Sequence, residues 1–154
     1  MVIGSQAVLG QFPNADPGLL VSVEADVYPR NRPERSDLID GSIGEGSPFE
    51  REFGYYAHGI DSSTAVLPSG WEERLILVSS PNTRDVRGWC LEVHDLAISK
   101  LVAGREKDFD FARILARTGL VQRPLLQERL RSTSVEPEVR RLVEARIERA
   151  FANL

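Results

Sequence analysis

Cysteine and histidine are nearly absent from this chain of 154 residues. Cys90 stands alone, which excludes an internal disulfide and a cysteine metal cluster. A buried, inert thiol is the state expected for it. His58 and His94 are the only histidines, too few for a His-rich zinc centre. No apolar run approaches the length of a membrane span, and no basic-then-apolar leader opens the chain. The expectation is a cytoplasmic protein, bacterial in style, with no membrane partner. Internal repeats and low-complexity segments are missing as well. The glycine-rich stretch from Ile39 to Pro48 lacks the Gly-Lys-Ser/Thr ending of a P-loop. It reads as an irregular loop lying over a site.

What is present supports a folded core. Hydrophobic residues make up 42% of the chain, and the length fits one compact domain. The net charge of −4 hides an asymmetry. Residues 1–99 carry 7 basic and 15 acidic side chains, whereas residues 100–154 carry 12 basic and 8 acidic. An acidic half joined to a basic half suits a phosphate-rich partner; solvated, arginine-rich helices are the plainer explanation.

Val21-Ser22-Val23-Glu24-Ala25-Asp26-Val27-Tyr28 is the most informative segment. In a strand, residues two apart share a face. Glu24 and Asp26 then stand side by side, with Val23, Ala25 and Val27 toward the core. Adjacent carboxylates repel, and a divalent metal is the commonest functional reason for such a pair. A half-wet strand that happens to be acidic is the alternative. Upstream, Val2-Ile3-Gly4-Ser5 reads as a short strand and a turn opening a helix. That turn offers backbone N–H groups and a hydroxyl to a phosphate.

Strands are expected over 2–4, 21–28, 53–60, 73–79 and 88–93. The first short helix must end near Gln11, before Pro13. Asp95 reads as a helix N-cap with Gly104 as the stop. Further helices are expected over 108–118 (capped by Asp108), over 124–131, and from Pro137 onward. The last carries a stripe of Val139, Leu142, Val143, Ile147, Ala150 and Phe151. Tyr55, Tyr56, Trp71 and Trp89 suit packing better than base stacking. The fold class is α/β: a small mixed sheet with flanking helices over residues 1–93, then a helical part over 94–154 packed on it in one compact domain.

Lys100 lies beside an apolar stripe, where it either snorkels to water or points toward phosphate. Arg105 and Lys107 sit where the chain turns back, and are expected to converge on the first site. Together these pieces resemble the minimal nucleotidyltransferases related to the abortive-infection type IV toxins. Gly4-Ser5 followed by Glu24-x-Asp26 resembles that superfamily's Gly-Ser…Asp-x-Asp core. Lys100 through Arg105 to Lys107-Asp108 resembles its helical Lys-x₄-Arg…Arg/Lys-Asp motif. Pro68-x-Gly70-Trp71-Glu72-Glu73-Arg74-Leu75 matches one uncharacterised branch.

The resemblance implies transfer of a nucleoside monophosphate from a nucleoside triphosphate to an RNA (tRNA-like) or protein acceptor. Glu24 and Asp26 would hold two Mg²⁺ ions, Gly4 and Ser5 the β/γ-phosphates. Lys100 and Arg105 would neutralise phosphate charge, and Asp108 would orient Lys100 or bind substrate. A toxin paired with an antitoxin protein is the implied context. The chain departs from the pattern in using Glu24 where Asp is usual. Its third carboxylate is open among Asp40, Asp61 and Glu92. It also begins almost on the first motif, where relatives carry a preceding helix, so an exposed apolar surface covered by a partner or a second copy is expected. The competing reading is a catalytically inactive nucleotide-binding or protein-interaction module of the same fold.

Overall fold

The structure, a computed structural model, describes residues 1–61 and 63–152, with the backbone alone for Asn82. The fold is α/β. The chain forms two compact units: residues 1–65 with 75–91, and residues 66–74 with 92–154.

Unit 1 is built on short ladders. Strand β1 (Glu24–Val27) pairs in parallel with β2 (Tyr56–Gly59), and the crossover between them carries helices α1 (Ser36–Ile43) and α2 (Pro48–Phe53). Strand β3 (Ile76–Val78) pairs antiparallel with β4 (Gly88–Cys90). The segment expected to form a strand over 2–4 is reduced to a bridge. Val2 meets Val27 on one side and Cys90 on the other, joining the two ladders. A 3₁₀ helix (Ser5–Gly10) follows at once and ends at Gln11, as expected. Ile3, Ala7, Val8, Leu19, Ala57, Ile60, Cys90 and Leu91 are the buried apolar residues of unit 1.

Several expectations for unit 1 are corrected. The stretch from Ile39 to Pro48 is not one irregular loop, because α1 covers its first half and α2 starts at Pro48. Glycine content hid both helices. Ser47 accepts from the Glu50 N–H, Pro48 sits at the first helical position, and Gly54 closes α2 in the left-handed region. The ladder of β1 starts only at Glu24. Val23 lies before it and is 53% exposed instead of facing the core. The strand expected over 53–60 begins at Tyr56, since Phe53 belongs to α2. That expected over 73–79 shrinks to β3, because a 3₁₀ turn spans Trp71–Arg74.

Unit 2 is helical: α3 (Val93–Ala103), α4 (Glu106–Arg117), α5 (Arg123–Arg131) and α6 (Pro137–Ala150). Helix α3 is the central one. Val93, His94, Asp95, Leu96, Ala97, Ile98 and Leu101 are all buried on it, and α4, α5 and α6 pack against it. Asp95 is not its cap. Glu92 caps it, accepting from the N–H groups of His94 and Asp95, so β4 stops at Cys90 and Val93 is already helical. Gly104 ends α3 at φ +70°, as expected. Asp108 sits in the first turn of α4 rather than before it. On α6, Val143, Ile147 and Ala150 are buried, but Leu142 is 55% exposed because it falls off that stripe. Among the described residues, no helix is long and apolar enough to cross a membrane.

Candidate functional site

The acidic pair sits on β1 of unit 1. Strand alternation places Glu24 and Asp26 on one face, and the parallel register sets Tyr56 beside Glu24 and His58 beside Asp26. The intervening partner Ala57 is buried, whereas His58 is exposed, so the charged face is the wetter one. The Gly4-Ser5 bend lies directly against this pair. A Cβ at Gly4 would collide with the Asp26 carboxylate. The backbone confirms the approach: Ile3 N–H donates to the Asp26 carbonyl at 3.0 Å. Gln6, one residue past Ser5, donates to the carbonyl of Ser22 just upstream of β1. Glycine at position 4 is what lets the carboxylate and the bend come this close.

Other acids lie around the same face. Burial first, then the negative charges of Glu24, Glu45, Glu50 and Asp26, push the Tyr56 phenol above its ordinary value. Glu45 lies in the turn between α1 and α2, and Glu50 opens α2. Of the three candidates for a third carboxylate, Asp40 is the one bonded to this face. Its Oδ1 lies 2.9 Å from His58 Nδ1, and both its oxygens accept from Gly59 N–H at 3.2 and 3.3 Å. A Cβ at Gly59 would strike the Ser36 carbonyl and crowd the Asp40 carboxylate. Asp61 is turned into a local loop by Ser63, whose N–H and hydroxyl hold its carboxyl below the usual range. Glu92 belongs to unit 2, where it caps α3 and accepts from His94 Nδ1 at 2.7 Å.

His58 was missed by sequence reasoning, in which Tyr56 reads only as a packing or base-stacking aromatic. The available signal was spacing: Tyr56-x-His58 repeats the i, i+2 pattern of Glu24-x-Asp26. Only the register makes the two patterns one surface. His94 is structural by contrast. Its Nε2 accepts from Gln122 N–H at 3.1 Å, which leaves Nδ1 to donate to Glu92.

Lys100, Arg105 and Asp108 are brought together in unit 2. Asp108 is 1% exposed by its side chain, and Lys100 Nζ lies 3.4 Å from its Oδ1. Arg105 grips the same carboxylate through Nε at 2.6 Å and Nη2 at 3.2 Å. Burial alone would raise the Asp108 pKa. The Arg105 hydrogen bonds and the Lys100 and Arg105 charges outweigh it, so the carboxyl titrates below its ordinary value. Lys100 also lies 5.9 Å from the Phe111 ring centroid. Asp108 is therefore the residue that orients both cations. The seven expected site residues thus fall into two sets: Gly4, Ser5, Glu24 and Asp26 in unit 1, and Lys100, Arg105 and Asp108 in unit 2.

The donor set of unit 1 suits a hard cation. Mg²⁺ is commonly held by one or two carboxylates, with water and substrate phosphate completing its octahedron. Glu24 and Asp26 provide two. Among the described residues, no cluster of three or more Asp, Glu, His or Cys side chains forms a closed protein cage. Cys90 is buried, and burial first of all raises its thiol pKa, so it is no metal ligand here.

Neither curated proteins nor solved structures gave a match to the chain. One family model matches residues 54–148. That span takes in β2 and the Lys100–Arg105–Asp108 cluster but stops short of β1 and the Gly4-Ser5 bend. On this match, which covers more than half of its length, the chain belongs to the family described as "Nucleotidyltransferase of unknown function (DUF6036)".

Proposed function

We propose that the protein is a Mg²⁺-dependent nucleotidyltransferase that moves a nucleoside monophosphate from a nucleoside triphosphate to an RNA (tRNA-like) or protein acceptor. The observation that carries this reading is the pair Glu24 and Asp26 on one face of β1, with the Gly4-Ser5 bend against Asp26. Side chains two apart on a strand stand about 6.6 Å apart, and at effective dielectrics of 20–80 their repulsion is about 0.6–2.5 kcal/mol. Within unit 1, and among the described residues, no lysine, arginine or histidine pairs with either acid. A cation taken from solution supplies the missing counter-charge.

Glu24 and Asp26 would be the protein ligands of that cation, which when bound draws charge off the triphosphate oxygens. The Gly4-Ser5 bend would receive the phosphate tail through backbone N–H groups and the Ser5 hydroxyl. In the transfer, the acceptor hydroxyl oxygen bonds to the α-phosphorus, the α–β phosphoanhydride breaks, and pyrophosphate leaves. Lys100 and Arg105 would neutralise phosphate charge, with Asp108 setting their position. A toxin restrained by an antitoxin protein is the biological setting that the motif resemblance supports.

One observation favours the second reading, an inactive nucleotide-binding or protein-interaction module. Both Lys100 and Arg105 already have a counter-charge in Asp108. Incubation with each labelled triphosphate, Mg²⁺ and total RNA or protein separates the two. Label transfer that is abolished in Asp26→Ala is the expected result. Tight Mg²⁺-dependent triphosphate binding without transfer identifies the module. No triphosphate binding at all overturns the transferase reading and the nucleotide-binding module, and leaves the protein-interaction module.

A further inference from the structure

A second candidate site lies wholly within unit 2. Helices α4 and α6 and the turn after α3 line a cavity of about 410 Å³. Four arginines converge on it: Arg105, Arg113, Arg146 and Arg149. Glu106 and Asp110 are the acids in its wall and Asp108 already holds Arg105, which leaves one positive charge in excess. The volume lies in the range of small-ligand sites, about 300–1,000 Å³.

The arginines are arranged rather than scattered. Glu106, Phe109, Asp110 and Arg113 follow the i, i+3, i+4, i+7 spacing of one helix face. Arg149 stacks over the Phe109 ring with its guanidinium carbon 4.7 Å from the centroid, which fixes a flat cationic surface. Arg146 donates to the Leu101 carbonyl at 2.6 Å and packs against Gly104 so closely that a Cβ there would collide with its guanidinium. Arg113 pairs with Asp110 at 3.2 Å, but both side chains are more than half exposed, so that pair is weak and exchangeable. Converging guanidiniums repel one another, and an anion relieves that cost. Planar forks match carboxylate and phosphate oxygens alike, but several forks together suit phosphate, which offers more acceptor oxygens and more negative charge than a single carboxylate.

We propose that this arginine cleft is a binding site for the phosphate of a nucleotide, presented either by a free nucleotide or by a strand of RNA. Arg113 and Arg149 contact the phosphate, and the Phe109–Arg149 stack offers a surface for the attached base. The inference does not depend on Glu24 or Asp26.

The test uses the full chain and three probes: inorganic pyrophosphate, ATP without Mg²⁺, and a fluorescent single-stranded oligoribonucleotide. Wild type is expected to bind at least one of them with affinity that falls as salt rises. Arg113→Glu and Arg149→Glu are each expected to weaken that binding about tenfold or more, as loss of a charged hydrogen bond would. Arg131→Glu on α5, which changes charge equally outside the cleft, serves as control and is expected to have little effect. If Arg149→Glu fails to fold, the exposed Arg113 carries the test. ATP bound without the oligonucleotide assigns the site to a free nucleotide; the oligonucleotide bound more tightly assigns it to RNA. The binding is read without Mg²⁺ and against the α5 control, which keeps its outcome separate from that of the transferase reading. No binding of any probe, or equal loss in Arg131→Glu, overturns the proposal.

Discussion

In unit 2 each fully buried aspartate sits between two cations. Asp95, 0% exposed, takes two hydrogen bonds from Arg74 at 2.8 and 3.0 Å, while Arg129 Nε stands 3.3 Å away without hydrogen-bond alignment. Asp108 holds Lys100 and Arg105. In unit 1 two carboxylates stand side by side on β1, half-buried, with no cation of that unit paired to them among the described residues. The contrast separates architecture from chemistry. A buried charge that serves the fold arrives with its counter-charge encoded in the chain. A pair that lacks one is the candidate for holding a ligand, as proposed above for Glu24 and Asp26.

The comparison breaks most visibly under alanine substitution. Asp95→Ala leaves Arg74 and Arg129 without their shared anion, and a loss of about 3–5 kcal/mol is expected in urea unfolding. Asp26→Ala removes a like-charge contact that costs about 0.6–2.5 kcal/mol, so the variant is expected to be as stable as wild type or more stable. If both variants cost several kcal/mol, the acids of β1 are structural and the contrast fails.

Acid sharpens it further. The folded Asp108 pKa lies below its unfolded value, and so does that of Glu92, where burial is outweighed by the hydrogen bonds from the His94 ring and from the Asp95 and His94 N–H groups. Their stabilisation is then fully present above the unfolded values, near pH 4, and is lost as pH falls toward the folded ones. Urea midpoints measured between pH 5 and pH 3 should drop steeply in wild type and less steeply in Asp108→Asn. Equal slopes would mean that Asp108 is not held by its cations.

A smaller effect reads unit 1 directly. Glu24 and Asp26 help to push the Tyr56 phenol up. Glu24→Gln should therefore lower the pH at which Tyr56 ionises, followed by ultraviolet absorbance with Tyr56→Phe to assign the signal. An unchanged titration would place Glu24 away from this face.

Much of unit 2 was legible because its helices obey local rules. Pro137 and the Val143–Ile147–Ala150 spacing mark α6, and Gly104 marks the end of α3. Asp95 misled because a residue suited to capping was recruited by Arg74, 21 residues away in sequence, while Glu92 took the cap. Helices α1 and α2 were hidden by glycines that weaken any periodic signal. The same-face placement of Glu24 and Asp26 followed from period two alone. The company they keep did not. Asp40 reaches His58 across 18 residues, and His58 meets Asp26 only through the parallel register. The fit of Gly4 against Asp26 depended on Val2 bridging two ladders, a single-residue contact that no pattern announces.

Joint binding of a divalent cation by Glu24 and Asp26 is the proposal on which the transferase reading depends. Calorimetric titration of Mg²⁺, or of Mn²⁺ as its stand-in, into wild type, Glu24→Gln and Asp26→Asn tests it without requiring a known acceptor. Binding by wild type that weakens about tenfold or more in each variant, as expected for loss of a charged ligand, is the predicted result. Binding that is absent in wild type, or unchanged by either substitution, would contradict it.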